Sequence, residues 1–190
     1  MAIEVEIKAH INEPDRIYTK LCSLFTLKRN FSKKDEYWFQ SSKNRTVNFP
    51  NSGIRLRTET FDDTRGTHSK TFFITWKSKE IQEKTEVNRE NELTISDADD
   101  FRKLLSLLGL EKTREKQKTG HLFVKEDIKA ELSDVEGLGF FIEIEIMAEN
   151  PEEDHIKAAK KRLYECLKML EIDEEAIETR FYSEMLEEKD

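Results

Sequence analysis

The sequence predicts an α+β domain: an antiparallel sheet with helices packed outside it. Three observations carry this. A few segments repeat apolar residues at helical spacing, most of the chain between them alternates with period two, and the alternating segments are aliphatic on one face and charged on the other. At 190 residues the chain is long enough for one domain, spanning 1–190, with a sizeable core.

In chain order, the first strand sets Ile3, Val5 and Ile7 on one face against Glu4, Glu6 and Lys8 on the other. A helix follows from about Glu13 to Phe25, with Asn12 as N-cap, Pro14 in the first turn and an apolar stripe of Ile17, Leu21, Leu24 and Phe25. Arg55 and Arg57 then alternate with Ile54 and Leu56, and Thr75 and Lys77 with Ile74 and Trp76. Between these strands, the polar segment Phe61 to Lys70, which contains Gly66, reads as a long hairpin loop. Asn88, Glu90 and Glu92 share one face. A second helix starts at Ser96, whose spacing to Asp99 resembles a capping box; it carries Phe101, Leu104, Leu105 and Leu108 and stops at Gly109. Lys116 and Lys118 share a strand face, as do Lys129 and Glu131, and Glu143 and Glu145 alternate with Ile142, Ile144 and Ile146. The third helix opens with Asn150-Pro151, has Glu152, Glu153 and Asp154 in its first turn and Lys157, Lys160, Lys161 and Arg162 later, in the order its dipole favours. Its stripe is Ile156, Ala159, Leu163, Leu167 and Leu170, and a short helical tail covers Glu174 to Glu187.

Two readings of the alternation stay open. An ordinary sheet turns its apolar face to a core and its charged face to water. Here, however, carboxylate pairs and cation pairs sit on separate strands. If the sheet closes into a barrel with the helices outside, the charged faces line a lumen. Carboxylate strands would then offer oxygen ligands to a divalent cation, and the arginine and lysine strands would grip phosphate oxygens.

Composition narrows the function further. Charged residues make up 38% and hydrophobic ones 36%, while 12 Phe argue against disorder. A net charge of −8 disfavours nucleic acid as a partner. Cys22 and Cys166 lack metal-ligand spacing and read as two buried thiols in a reducing cytosol. The acidic N-terminus has no apolar signal core, and no run approaches the roughly 20 apolar residues of a membrane helix. The expectation is a cytoplasmic protein with no membrane partner. His10, His68, His121 and His155 form no metal motif, and neither a P-loop nor a dinucleotide-binding glycine motif is present.

The segment Glu4-Val5-Glu6-Ile7-Lys8 matches the ExExK signature that opens the CYTH superfamily of class IV adenylyl cyclases and thiamine triphosphatases. Its companions follow in family order. Asp35-Glu36-Tyr37-Trp38-Phe39 resembles the Asp-x-Tyr strand, Ile54-Arg55-Leu56-Arg57 the Arg-x-Arg strand and Ile74-Thr75-Trp76-Lys77 the Leu-Thr-Tyr-Lys strand. Glu90-Asn91-Glu92 is similar to the later acidic strand, and Lys116-Gln117-Lys118 to the basic pair after the central helix. The run from Gly137 to Glu145 resembles Gly-Leu-Gly-x-Phe-x-Glu-x-Glu, and Arg180-Phe181-Tyr182-Ser183 the closing Arg-Ser-Tyr.

The resemblance implies a triphosphate tunnel, a closed antiparallel barrel of about eight strands. It implies a triphosphate-containing small molecule as ligand, Mg or Mn as cofactor, and Glu4, Glu6 and Lys8 as the catalytic group. Glu4, Glu6 and Glu143 become the foremost metal ligands, with Glu145, Glu90 and Glu92 in support. Lys8, Arg55, Arg57, Lys77, Lys116, Lys118 and Arg180 become phosphate contacts. Three positions depart from the pattern: Ser133 stands where the family has Asp, Asn88 where it has Arg, and Lys118 where Arg is frequent. The implied activity is hydrolysis of the terminal phosphate of tripolyphosphate or organic triphosphates. Its alternatives are a class IV adenylyl cyclase and a non-catalytic module that binds polyphosphate or nucleotide. Pairing as a homodimer is left open.

Overall fold

The computed structural model describes residues 2–40, 53–148 and 152–188. Its strands are β1 (Ala2–His10), β2 (Thr26–Gln40), β3 (Ile54–Asp63), β4 (His68–Gln82), β5 (Thr85–Ile95), β6 (Leu110–Lys125), β7 (Ile128–Val135) and β8 (Gly139–Ala148). They close into an antiparallel barrel in the order β1-β5-β4-β3-β2-β6-β7-β8. Helices α1 (Pro14–Leu24), α2 (Ala98–Leu107) and α3 (Glu153–Leu170) pack outside the ring, and a short α4 (Tyr182–Glu187) follows a 3₁₀ turn over Glu174–Ala176.

The apolar faces of the strands point outward, under the helices. Ile3, Val5 and Ile7 of β1, Ala130 and Leu132 of β7, and Ile142, Ile144 and Ile146 of β8 form one cluster with Ile17 and Leu21 of α1 and Leu163, Leu167 and Leu170 of α3. Burial of each large aliphatic side chain contributes roughly 1.5–3 kcal/mol. A second cluster sets Ala98 and Leu105 of α2 on Trp38, Leu56, Ile74 and Leu110. Arg102 ties α2 down further, donating to both carboxylate oxygens of Glu36 at 2.6–3.1 Å. The outer layer thus absorbs the aliphatic residues, and the charged residues are left facing inward.

Local details differ from the sequence expectations for physical reasons. The N-cap of α1 is Glu13, without a side-chain cap bond, rather than Asn12. The cap of α2 is Asp97, whose carboxylate accepts the Asp99 and Asp100 amides at 2.7 and 2.9 Å, so Ser96 lies one residue too early. The face of α2 toward the barrel is Ala98, Phe101 and Leu105, while Leu104 and Leu108 are exposed, because a ten-residue helix on a curved sheet buries a narrow stripe. Gly109, at φ +78°, then turns the chain into β6. The expected loop Phe61–Lys70 is mostly strand: Asp63 accepts the Arg65 and Thr67 amides at 2.9 Å, closing a tight turn between β3 and β4. The Asn150-Pro151 start of the third helix lies outside the described residues, and Glu152 is its N-cap. The C-terminal helical tail is two short pieces, separated where Glu178 donates its amide to the Lys8 carbonyl at 2.8 Å.

Candidate active site

Closure places the charged strand faces around a cavity of about 1480 Å³, lined by Glu4, Glu6, Lys8, Arg55, Arg57, Lys116, Lys118, Glu143 and Glu145 among others. Register explains the grouping. Lys116, Asp35, Arg57 and Phe73 are successive partners across β6, β2, β3 and β4, and Glu145 lies between Glu6 of β1 and Lys129 of β7. Partners at one level of a ladder share a face, so each level presents one ring of side chains to the lumen.

One wall is acidic. Carboxylate oxygens of Glu4, Glu6 and Glu145 lie within 4.8 Å of one another. Asn88 donates through Nδ2 to Glu4 Oε2 at 3.0 Å, and Lys129 through Nζ to Glu145 Oε1 at 2.7 Å. Burial and then the Glu4 charge push the Glu145 carboxyl up to about 7. Oxygens around an octahedral Mg ion are separated by about 3–4 Å, and a set of hard carboxylate donors suits Mg or Mn. The donor type fits such an ion, and the three oxygens lie together on one wall.

The facing wall is basic and oriented by buried carboxylates. Asp35 is fully buried; it accepts from Arg57 Nε and Nη2 at 2.6 and 2.9 Å, and Lys116 Nζ lies 2.9 Å from it. Burial alone would raise the Asp35 carboxyl, but the Arg57 and Lys116 charges outweigh it and hold it well below the usual carboxylate range. Lys118 is shared by Glu131 and Glu143. Glu143 is likewise pushed up by burial and brought down to about 2 by Lys118. Arg55 donates to Thr75 Oγ1 at 3.0 Å and Glu90 at 3.1 Å, and Thr75 donates to Glu92 at 3.1 Å.

One end of the lumen is filled by Tyr182 of α4, which packs with Val135, Phe141 and Met185. The ammonium groups of Lys8 and Lys116 lie over the Tyr182 ring, 4.6 and 4.7 Å from its centroid. Lys8 also donates to the Arg180 carbonyl at 2.5 Å and pairs with Glu86 at 3.5 Å.

The structure regroups several residues expected at the site. Glu145, rather than Glu143, completes the carboxylate trio; Glu143, the register partner of Glu131, joins it on Lys118. Glu90 and Glu92 join Arg55 and Thr75 instead of the trio. The Arg180 side chain is half-exposed, held outside by Glu178 at 2.5 Å and Glu188 at 2.7 Å, so only its carbonyl reaches Lys8. The Lys77 backbone is in register with Glu90, and its side chain lies outside the described residues. Arg29, Lys33, Asp35, Glu59, Glu86 and Tyr182 were not among the expected site residues, although all but Asp35 line the cavity. For Arg29, Lys33 and Asp35 a signal existed, since they alternate with Asn30, Ser32 and Lys34 along β2.

A family model for the CYTH domain matches residues 2–182. The chain belongs to the CYTH family. This CYTH chain is 29% identical over 185 residues to a Methanocaldococcus jannaschii protein given the provisional name of adenylate cyclase, covering 96% of this chain and 98% of that one. Among solved structures, the PH1819 protein of Pyrococcus horikoshii is similar with a TM-score of 0.78 and 31% identity, covering 98% of this chain and 99% of that one. A Hippeastrum protein reported to have a dominant triphosphatase activity shares the fold, with a TM-score of 0.65 and 15% identity, covering 100% of this chain and 97% of that one. No helix among the described residues of this CYTH chain is long and apolar enough to cross a membrane.

Proposed function

We propose that this CYTH domain is a divalent-cation-dependent triphosphatase that releases orthophosphate from the terminal position of tripolyphosphate or organic triphosphates. One observation carries this reading: the Glu4–Glu6–Glu145 trio shares a lumen with Arg55, Arg57, Lys116 and Lys118. A metal-bound phosphate chain needs that division between carboxylate and cation.

A Mg or Mn ion held by Glu4, Glu6 and Glu145 would neutralise phosphate charge and lower the pKa of a bound water. The protein's own contribution is positioning and electrostatics. Asp35 fixes the guanidinium of Arg57 and the ammonium of Lys116, leaving their remaining N–H groups for phosphate oxygens. Glu131 and Glu143 hold Lys118 within the lumen, and Glu86 with the Arg180 carbonyl holds Lys8. These cations stabilise the charge that builds on the phosphoryl oxygens as water attacks the terminal phosphorus and the bridging P–O bond breaks.

The second reading, cyclisation of ATP to cyclic AMP and pyrophosphate, is favoured by the provisional cyclase name of the Methanocaldococcus relative. The reported triphosphatase activity of the Hippeastrum protein belongs to the same fold. Phosphorus NMR after incubation with ATP and Mg or Mn separates the two. Orthophosphate with ADP is expected; cyclic AMP and pyrophosphate as main products would establish the cyclase instead.

A further inference from the structure

Three side chains from distant parts of the sequence meet at the end of the lumen that Tyr182 fills. Lys8 of β1 and Lys116 of β6 are both buried, and two strands, β7 and β8, stand between theirs in the ring. Their ammonium groups nevertheless share one neighbour, the Tyr182 ring, whose centroid is 4.6 Å from Lys8 Nζ and 4.7 Å from Lys116 Nζ. That ring is itself fixed. Phe141 meets it edge to face, with centroids 5.0 Å apart and planes at 89°, and Val135 and Met185 pack around it. The chain on either side is tied to the barrel. Glu178 donates its amide to the Lys8 carbonyl at 2.8 Å, and Lys8 Nζ donates to the Arg180 carbonyl at 2.5 Å. Beyond the tyrosine, Arg114 Nη1 donates to the Ser183 carbonyl at 2.9 Å.

We propose that Tyr182 is a positioning residue of the phosphate site, whose ring sets the Lys8 and Lys116 ammonium groups at one spacing for oxygens of a phosphate chain. Carboxylates do part of this holding. Asp35 lies 2.9 Å from Lys116 Nζ but is shared with Arg57, and Glu86 reaches Lys8 at 3.5 Å. A carboxylate, however, competes with phosphate: its lone pairs take the same N–H groups, and its charge repels the incoming anion. A ring face attracts a cation through its quadrupole and carries no net charge. It therefore holds both ammonium groups in place while leaving their N–H groups to phosphate. Because both lysines converge on one rigid ring, they are set relative to each other and not only to their own strands. The inference rests on the phosphate reading of the lumen and adds to it a residue that acts through the two lysines.

The test is calorimetric titration of the whole chain with diimidotriphosphate and Mg, a ligand that is not hydrolysed. Tyr182→Phe keeps the ring and should bind within about twofold of the parent. Replacing Tyr182 with 3,4,5-trifluorophenylalanine, by nonsense-codon suppression, keeps the ring's shape and packing but withdraws the negative charge from its face. Affinity should then fall about fivefold or more below that of Tyr182→Phe, because two cation–π contacts weaken together. A residue that only packed against Phe141 and Met185 would give the same affinity with either ring. Equal or tighter binding by the trifluorinated protein would thus overturn the positioning role and leave the triphosphatase reading, which is judged on its products, intact. An affinity that follows fluorination in a protein yielding cyclic AMP would keep the role of Tyr182 and remove the triphosphatase. If diimidotriphosphate with Mg did not bind the parent protein, both readings would fall.

Discussion

The Lys118 ammonium is bonded to the Glu143 carboxylate, and this pairing draws Glu143 away from Glu145, which leaves the same strand on the same face. Lys118 also reaches Glu131 at 2.9 Å, so Glu143 belongs to the group that holds cations in place. Manganese titration without phosphate ligand should resolve the difference. Glu6→Gln and Glu145→Gln are expected to lower Mn affinity by about tenfold or more, the equivalent of 1.4 kcal/mol, and Glu143→Gln by no more than about threefold. A Glu143→Gln loss as large as the others would place Glu143 on the metal.

Asp35 is the hub of the basic wall. Asp35→Asn removes the charge that Arg57 and Lys116 share and deprives two buried cations of the carboxylate in contact with both. Losing one member of a buried ionic group costs about 3–5 kcal/mol. Urea unfolding should register a loss of that order, and saturating tripolyphosphate should recover part of it by supplying the missing negative charge. A variant as stable as the parent would show that Arg57 and Lys116 find other partners.

The raised carboxyl of Glu145 predicts a pH-dependent stability. Its folded value of about 7 exceeds the ordinary 4.5, so its contribution is complete below about 4.5 and is lost as pH rises toward 7. With Mg and Mn removed, the melting temperature should fall across that window through this group. The loss is bounded at roughly 3 kcal/mol. Glu145→Gln should flatten this part of the profile, and Mg should restore stability at pH 7 by replacing the proton. A Glu145→Gln profile identical to the parent's would assign the titration elsewhere.

Ligand should stabilise the fold. The cations of the basic wall crowd one lumen, and binding restricted to the folded state adds about 2.7 kcal/mol at a hundredfold excess over Kd. Tripolyphosphate with Mg should raise the melting temperature in proportion to the logarithm of its concentration. A melting temperature indifferent to the ligand would count against a phosphate-binding lumen.

Much of this architecture was legible in the sequence because its signals are local. Ile3, Val5 and Ile7 against Glu4, Glu6 and Lys8 specify two faces whatever the strand pairs with, and Leu163, Leu167 and Leu170 specify one helix stripe. Caps were less legible: Ser96 and Asp97 are both good N-caps, and the φ and ψ angles that choose between them depend on how α2 meets the barrel.

The sequence by itself determined that paired carboxylates and paired cations stand on separate strands, since alternation and side-chain chemistry are carried by neighbouring residues. Only the tertiary structure decided that those faces turn inward, that Glu145 rather than Glu143 meets Glu4 and Glu6, and that Arg180 stays outside with Glu178 and Glu188. Each outcome depends on register between strands far apart in the chain and on how the ring closes. Two carboxylates with the same local pattern can therefore acquire opposite partners: Glu143 a lysine that lowers its pKa to about 2, Glu145 a second carboxylate that helps burial raise it to about 7.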